Sequence, residues 1–357
     1  MLPGIEQRAG NLGSSKKKLI ADSLDKWRNH VELFHGVNVD WLGKKWYFLA
    51  FSMIFSVAGI ISMGIHLKKT GDIVPLGIDF RGGTEMRVQF KNQVPNIDKI
   101  RAAVMAEGIP DSSITTFGDA SNFGGASNNE VLISLPEQTN EAGLDVGRQK
   151  IEQALNGPYA GDFTIRDEQV VGPTVGRQLE GQAGRAVLYS LLGMLVYLWF
   201  RFQLIYGIAA VVACFHDTLI TVGAFALTGQ EISLTVIAAI LTLVGYSMND
   251  TIVVFDRIRE NLRLTRREPL TILVNRSINQ TLSRTVLTSG LTFLTVLSLY
   301  IFGGAVLKGF SFALVVGILI GTYSSIAIAA PMLVAWQQWR AEKGNAVSLP
   351  AAKRSRA

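Results

Sequence analysis

The sequence is poor in cysteine, in histidine and in charge. One cysteine, Cys214, occurs in 357 residues. Disulfide frameworks, thiolate zinc sites and redox pairs each need at least two, so all are excluded within one chain. Cys214 lies in an apolar run and reads as a small buried apolar residue. Charged residues make up 17%, against about 25% in an ordinary soluble domain. Hydrophobic residues reach 48%, and mean hydropathy is +0.29. The net charge of +6 would suit nucleic acid, but Lys and Arg gather beside the apolar runs, as membrane orientation requires. No nucleic-acid partner is expected. No cleavable signal is evident either. The first long apolar run begins after about 45 residues and is too long for a signal core, so it is expected to act as an uncleaved anchor.

Long apolar runs are what the chain has instead. Residues 1–45 are polar and basic, with Lys16-Lys17-Lys18 and Lys44-Lys45. They are expected in the cytoplasm, disordered at the extreme N-terminus, with a short surface helix from Asp22 to His35. Trp46 to Leu67 carries no charge and matches the ~20 residues that cross ~30 Å of hydrocarbon. Trp46 and Tyr47 suit the interface. Five more runs follow residue 181: Arg185–Phe200, Leu204–Leu227, Ile232–Phe255, Thr285–Phe302 and Phe310–Trp336. Most connections between them are very short, so neighbouring helices must be antiparallel. Six spans return the C-terminus, 337–357, to the side of the N-terminus. Region 256–284 then lies in the cytoplasm with Arg257, Arg259, Arg263, Arg266, Arg267 and Arg276, as the positive-inside rule requires. Ile258, Leu262 and Leu273 among those arginines suit an amphipathic helix on the inner surface, interrupted near Pro269.

Residues 68–181 have mixed charge and form the one domain outside the cytoplasm. Thr84 to Phe90 alternates as a half-buried strand. Asn96 caps a helix to Glu107. Ser113–Phe117 and Val131–Leu135 read as strands on either side of the Gly/Asn/Ser loop 118–129. Ala142–Leu155 is a helix expected to end at Asn156-Gly157-Pro158. Phe163–Val171 is the last strand. This β-α-β-β-α-β order predicts a ferredoxin-like α+β domain. The fold class is therefore a polytopic α-helical membrane protein of six spans, 46–67 and then five within 182–336, with that domain after the first.

Asp250 is the expensive residue. A charge near the centre of a span costs roughly 2.5–3.5 kcal/mol on insertion scales. Thr242, Gly245, Tyr246 and Asn249 lie with it at helical spacing, a polar stripe expected to face a bundle or cavity. Arg284 opens the next span, at a depth where the two could pair; Thr288, Thr295 and Ser298 continue its stripe. Burial and a nearby guanidinium act on a carboxyl in opposite senses, which leaves it able to titrate. Moving one charge through the membrane field is worth ~2.3 kcal/mol per 100 mV, enough to bias a conformational equilibrium. The competing reading is a static ion pair that locks two helices. His216 and Asp217 form a second ionisable group, read equally as a proton relay or as a hydrogen-bond clip to Ser or Thr on another span. No second His or Cys cluster accompanies them, so no metal site is expected. Asp79-Phe80-Arg81-Gly82-Gly83-Thr84 reads as a sharp structural turn.

Four blocks resemble the SecD/SecF family of bacterial protein-export membrane proteins. They are Val31-Glu-Leu-Phe-His-Gly-Val-Asn-Val-Asp-Trp-Leu-Gly-Lys44, Gly77-Ile-Asp-Phe-Arg-Gly-Gly-Thr84, Val244-Gly-Tyr-Ser-Met-Asn-Asp-Thr-Ile-Val-Val-Phe-Asp-Arg-Ile-Arg-Glu-Asn261 and Asn279-Gln-Thr-Leu-Ser-Arg-Thr285. The resemblance covers about residues 30–340. It implies a subunit of the bacterial inner membrane with both termini cytoplasmic, partnered by SecD and the SecYEG channel, with YajC and YidC as further partners. Exported preproteins would be its cargo. It implies that the proton gradient drives a late step of export, with Asp250 as the proton carrier and Arg284 as its functional arginine. Asp79, Gly82 and Gly83 match the family's external signature, in which Arg81 replaces a commoner Thr. His216, Asp217, Asn249 and Tyr246 are supporting polar residues. The coupling ion is H⁺ or Na⁺, since a carboxylate among hydroxyls suits either, and no other cofactor is implied. Two further readings are weighed. A proton-driven exporter of small molecules or lipids usually carries two larger external domains on twelve spans. An intramembrane aspartyl protease using Asp217 and Asp250 would need Gly-x-Gly-Asp, and Ser247-Met248-Asn249 fails that pattern, so no enzyme activity is expected.

Overall fold

A computed structural model describes residues 38–91, 96–107, 112–117, 130–136, 144–202, 204–265 and 268–342. The expected surface helix at Asp22 to His35, the loop 118–129 and the tail beyond Glu342 lie outside the described residues. Among those residues, six helical segments are long and apolar enough to cross a membrane.

The first, α1 (Lys45–Thr70), stops at Gly71, whose left-handed backbone (φ 83°) donates its N–H to Leu67. A glycine fits there because it has no Cβ to clash. The chain then makes a one-turn helix, α2 (Ile78–Arg81), and enters β1 (Gly83–Phe90). Helix α3 (Ile97–Ala106) begins at Asn96, whose side chain accepts from the Asp98 N–H, as its capping chemistry predicts. Strands β2 (Ser113–Phe117) and β3 (Glu130–Pro136), helix α4 (Leu144–Tyr159) and strand β4 (Phe163–Val171) complete the α+β domain inserted after α1. Its sheet has the order β2-β3-β1-β4, antiparallel throughout. Alternation on β1 sends Met86, Val88 and Phe90 to one face. There they bury against Ile100 and Val104 of α3, Val131, Ile133 and Leu135 of β3, and Ile151 and Leu155 of α4. Each such side chain contributes roughly 1.5–3 kcal/mol when fully buried.

Helix α4 does not end at Asn156-Gly157-Pro158. It runs on to Tyr159 with Pro158 inside. Tyr159 stacks edge-on against Phe90, and that contact rewards the extra turn. Helix α5 (Pro173–Arg201) starts well before the apolar run. Pro173 stands at its first position, where a missing N–H costs nothing. The helix therefore takes over residues 173–181, which hydropathy alone assigns to the external domain.

Helix α6 (Leu204–Thr228) matches its run. Helices α7 (Leu234–Leu264) and α8 (Leu270–Phe302) both extend far past theirs. Region 256–284 thus holds the ends of two long helices, α7 closing at Leu264 and α8 opening at Leu270, rather than a loop. The break does fall at Pro269, which caps α8. The expected surface helix is corrected too: Ile258 and Leu273 are wholly buried in the bundle with Phe255, Val274 and Ile278. Polar clips join the two helices, with Asn261 donating to Ser277 and to Gln280. Helix α9 (Gly304–Ser324) continues through a π-turn, Ser325–Ala329, into α10 (Ala330–Glu342).

Two side chains on α8 hold the chain that leads into α1. Asn279 accepts from the Val39 N–H and the Trp41 indole and donates to the Val39 carbonyl. Asn275, one turn earlier, accepts from the Leu42 N–H and donates to Asp40. An amide offers donor and acceptor together, so the pair grips backbone as a neighbouring strand would.

Candidate functional site in the membrane bundle

Helices α6, α7, α8 and α9 bring two carboxylates inside the bundle. Asp217 of α6 is 1% exposed. Its Oδ2 accepts from Ser247 Oγ of α7 at 2.6 Å and from Ser324 Oγ of α9 at 2.7 Å. Its Oδ1 lies 3.0 Å from His216 Nδ1. The other ring nitrogen, Nε2, lies 2.5 Å from Ser52 Oγ of α1. One carboxylate and its histidine thus join four spans. The π-turn begins directly after Ser324, and such bulges recur at functional positions. The contacts are those of a hydrogen-bond clip to serines on neighbouring spans.

Asp250 of α7 is 2% exposed. Its Oδ2 accepts from Ser289 Oγ of α8 at 2.6 Å. Ser247 and Asp250 are three residues apart on one face of α7, so the two carboxylates hold adjacent positions in the bundle. Arg284, the partner expected from sequence, is exposed. It stands on α8 five residues before Ser289, the side chain that reaches Asp250. No ion pair of 4 Å or less joins them among the described residues. Ser289 stands one helical stripe away from Arg284, Thr288 and Thr295, and it occupies the place nearest the acid. Thr285 Oγ1 and Tyr246 OH are buried beside this region without a hydrogen-bond partner.

The polar stripe on α7 points the other way from its expectation. Thr242, Gly245 and Asn249 are exposed. The buried face is Val236, Ile240, Leu243, Ser247, Asp250, Val254 and Ile258. These pack inward at spacings of three and four, so the stripe between them is left outside. On α8, Thr288, Thr295 and Ser298 are exposed with Arg284, while Ser277, Thr281, Thr285 and Ser289 form the buried row. That row repeats every four residues, and this spacing was the signal that could have found Ser289. Ser52 and Ser324 carry no such signal, because single serines are ordinary in apolar helices.

The Gly82-Gly83 signature is built into the end of the bundle that meets the inserted domain. Gly82 and Gly83 both adopt positive φ, 80° and 135°. A Cβ on Gly82 would lie 3.1 Å from Pro173 Cα, so the turn needs glycine both for its backbone and for space. Asp79 Oδ1 accepts from Gln169 of β4, and its Oδ2 accepts from the backbone N–H of Leu234, the first residue of α7.

These features define a class: a polytopic helical membrane protein with a small α+β domain inserted after its first span and ionisable groups buried among its helices. Residues 150–339 match the family described as "Protein export membrane protein SecD/SecF, C-terminal", and residues 74–94 match the "SecD/SecF GG Motif". The chain belongs to the SecD/SecF family of protein-export membrane proteins. A protein translocase subunit SecF from Koribacter versatilis is 52% identical, over 88% of this chain and 96% of that one. A protein translocase subunit SecDF from Brucella abortus is 39% identical, over 77% of this chain and 36% of that one. The crystal structure of SecDF, a translocon-associated membrane protein from Thermus thermophilus, superposes with a TM-score of 0.70 at 37% identity, over 85% of this chain. The chain spans 39% of that longer one.

Proposed function

We propose that this chain acts in protein export as a SecF-type subunit, and that Asp250 takes up and releases the coupling ion that drives it. The observation that carries this reading is the setting of Asp250. A carboxylate buried inside a span and held by one serine hydroxyl sits on the inward face of α7, while the same helix leaves the polar stripe Thr242, Gly245 and Asn249 uncovered on its other side. Polar groups at that depth are costly against lipid. A second membrane subunit suits the face, and fusion of two such halves in the SecDF relatives supports a SecD-type partner. Arg284, exposed on that face, is then placed to reach either Asp250 or the partner. His216 and Asp217 serve beside it as a fixed polar link between spans, with Asn249 and Tyr246 flanking the acid. The ion is H⁺, with Na⁺ as the alternative that a carboxylate among Ser289 and Thr285 also suits. SecYEG, YajC and YidC are the further partners of this reading, and preproteins are its cargo.

The location that fits is a bacterial inner membrane with both termini cytoplasmic, supported by the arginines where α7 closes and α8 opens. The external domain reads as ferredoxin-like, supported by its antiparallel order β2-β3-β1-β4 and its two helices. The test is export of a preprotein into membrane vesicles under an imposed proton gradient. Asp250→Asn is expected to remove the gradient-dependent increment while the protein still inserts and assembles. Wild-type export in that variant would defeat the ion-carrying role.

A further inference from the structure

The signature segment sits between two parts that have no other reason to move together. On one side is the external sheet, whose strand β1 begins two residues after α2. On the other is α7, the helix that carries Asp250. The link between them is dense. Leu76 and Ile232 form a parallel bridge, with Gly77 N–H donating to Ile232 O at 2.9 Å and Ile232 N–H donating to Pro75 O at 2.8 Å. Ile232 lies two residues before α7. Asp79 then divides its carboxylate, one oxygen on the first amide of α7 and the other on Gln169 of the edge strand β4. A carboxylate on the first amide of a helix also meets the positive end of its dipole. Phe80 is 3% exposed and belongs to one buried cluster with Ile232 and with Val236, Ala239, Ile240 and Leu243 of the N-terminal half of α7.

We propose that residues 75–80 are a clamp that fixes the external sheet to the N-terminus of α7, with Asp79 as its positioning residue, so that displacement of the Asp250 helix is delivered to the external domain. Asp250 lies about 24 Å along α7 from Leu234 at 1.5 Å per residue. A helix of that length transmits a shift as a rigid rod, and the clamp prevents the rod from slipping past the sheet. The proposal rests on the reading of Asp250 as the ion-binding group.

The experiment uses the full chain with its partner subunits in membrane vesicles and reads two quantities, gradient-driven preprotein export and ion uptake followed by a pH-sensitive dye. Asp79→Ala is expected to lose the gradient-driven export while ion uptake continues. Asp79→Asn keeps an acceptor for Leu234 and a group for Gln169, and is expected to export as the wild type does. Leu76→Cys with Ile232→Cys places thiols on bridged positions, whose strand spacing of about 4.8 Å falls within the Cα range a disulfide tolerates. Oxidised, this pair is expected to export normally and to restore export to Asp79→Ala. The clamp is overturned if Asp79→Ala exports normally, if Asp79→Asn fails, or if Asp79→Ala loses ion uptake as well. It is also overturned if the disulfide blocks export that its reduced form supports, or fails to rescue. Failure of the ion reading shows instead in Asp250→Asn, with the clamp untouched.

Discussion

Asp217 and Asp250 sit on adjacent helices, and their partners set them apart. Asp217 receives two serine hydroxyls and faces a histidine, so its lone pairs are largely used. Asp250 receives one, so more of its lone pairs are left without a donor. The difference yields a prediction at this scale. Asp217→Ala orphans the Ser247 hydroxyl, at roughly 1–3 kcal/mol for a buried hydroxyl left unpaired, and leaves Ser324 only its longer bond to the Gly321 carbonyl. Thermal unfolding of the purified protein in detergent should fall by several degrees. Asp217→Asn, which keeps an acceptor, should fall less. Equal losses in the two variants would mean that charge rather than hydrogen bonding holds the spans together. Sequence spacing pointed to both acids, but only packing could choose Ser289 over Thr288 as the neighbour of Asp250, because the two differ by one residue and by about 100° around the helix.

Among the elements, α1 and α6 meet backbone to backbone. A Cβ on Gly223 would lie 2.7 Å from Gly59 Cα. The close approach brings Ser52 within reach of His216. Small residues do this in membranes because lipid offers no hydrophobic drive between helices, so close packing must supply the attraction. Gly223→Val should push α1 away and cost about 1–3 kcal/mol of overpacking, seen as a lower unfolding temperature in detergent. An unchanged temperature would show that α1 yields freely. The ends of α5, α7 and α8 were not legible from hydropathy. The extra turns of α7 and α8 are polar outside but bury Ile258 and Leu273 in one apolar cluster and clip Asn261 to Ser277, which a hydropathy window cannot register.

For the whole molecule, the junction between domain and bundle is the part under electrostatic load. Burial pushes the Glu85 carboxyl upward. It pushes Glu231 upward too, with the Glu85 charge adding and Arg81 opposing. A raised carboxyl binds its proton more tightly in the folded state than in the unfolded one. Its contribution to stability is therefore full below the ordinary value of 4.5 and is lost as pH rises through the folded value. Glu231→Gln should remove part of that loss, so the variant gains on the wild type at pH 8 relative to pH 4.5 in thermal unfolding. Parallel pH curves for the two proteins would place the load elsewhere. The clamp at residues 75–80 crosses this same junction, so stability there and delivery of motion are joined in one segment.

The sequence by itself determined the six apolar spans, the order of strands and helices in the domain inserted after the first, and the carboxylates worth suspecting, because burial of charge in long apolar runs is costly enough to read from one dimension. It also set the Gly82-Gly83 turn and the Asn96 cap, which depend on local chemistry. Only the tertiary structure decided which face of α7 is inside, that Asp250 meets Ser289 rather than Arg284, and that Asp79 caps the Asp250 helix. Those outcomes depend on rotation and approach between helices distant in the chain, and a residue's spacing along its own helix fixes neither.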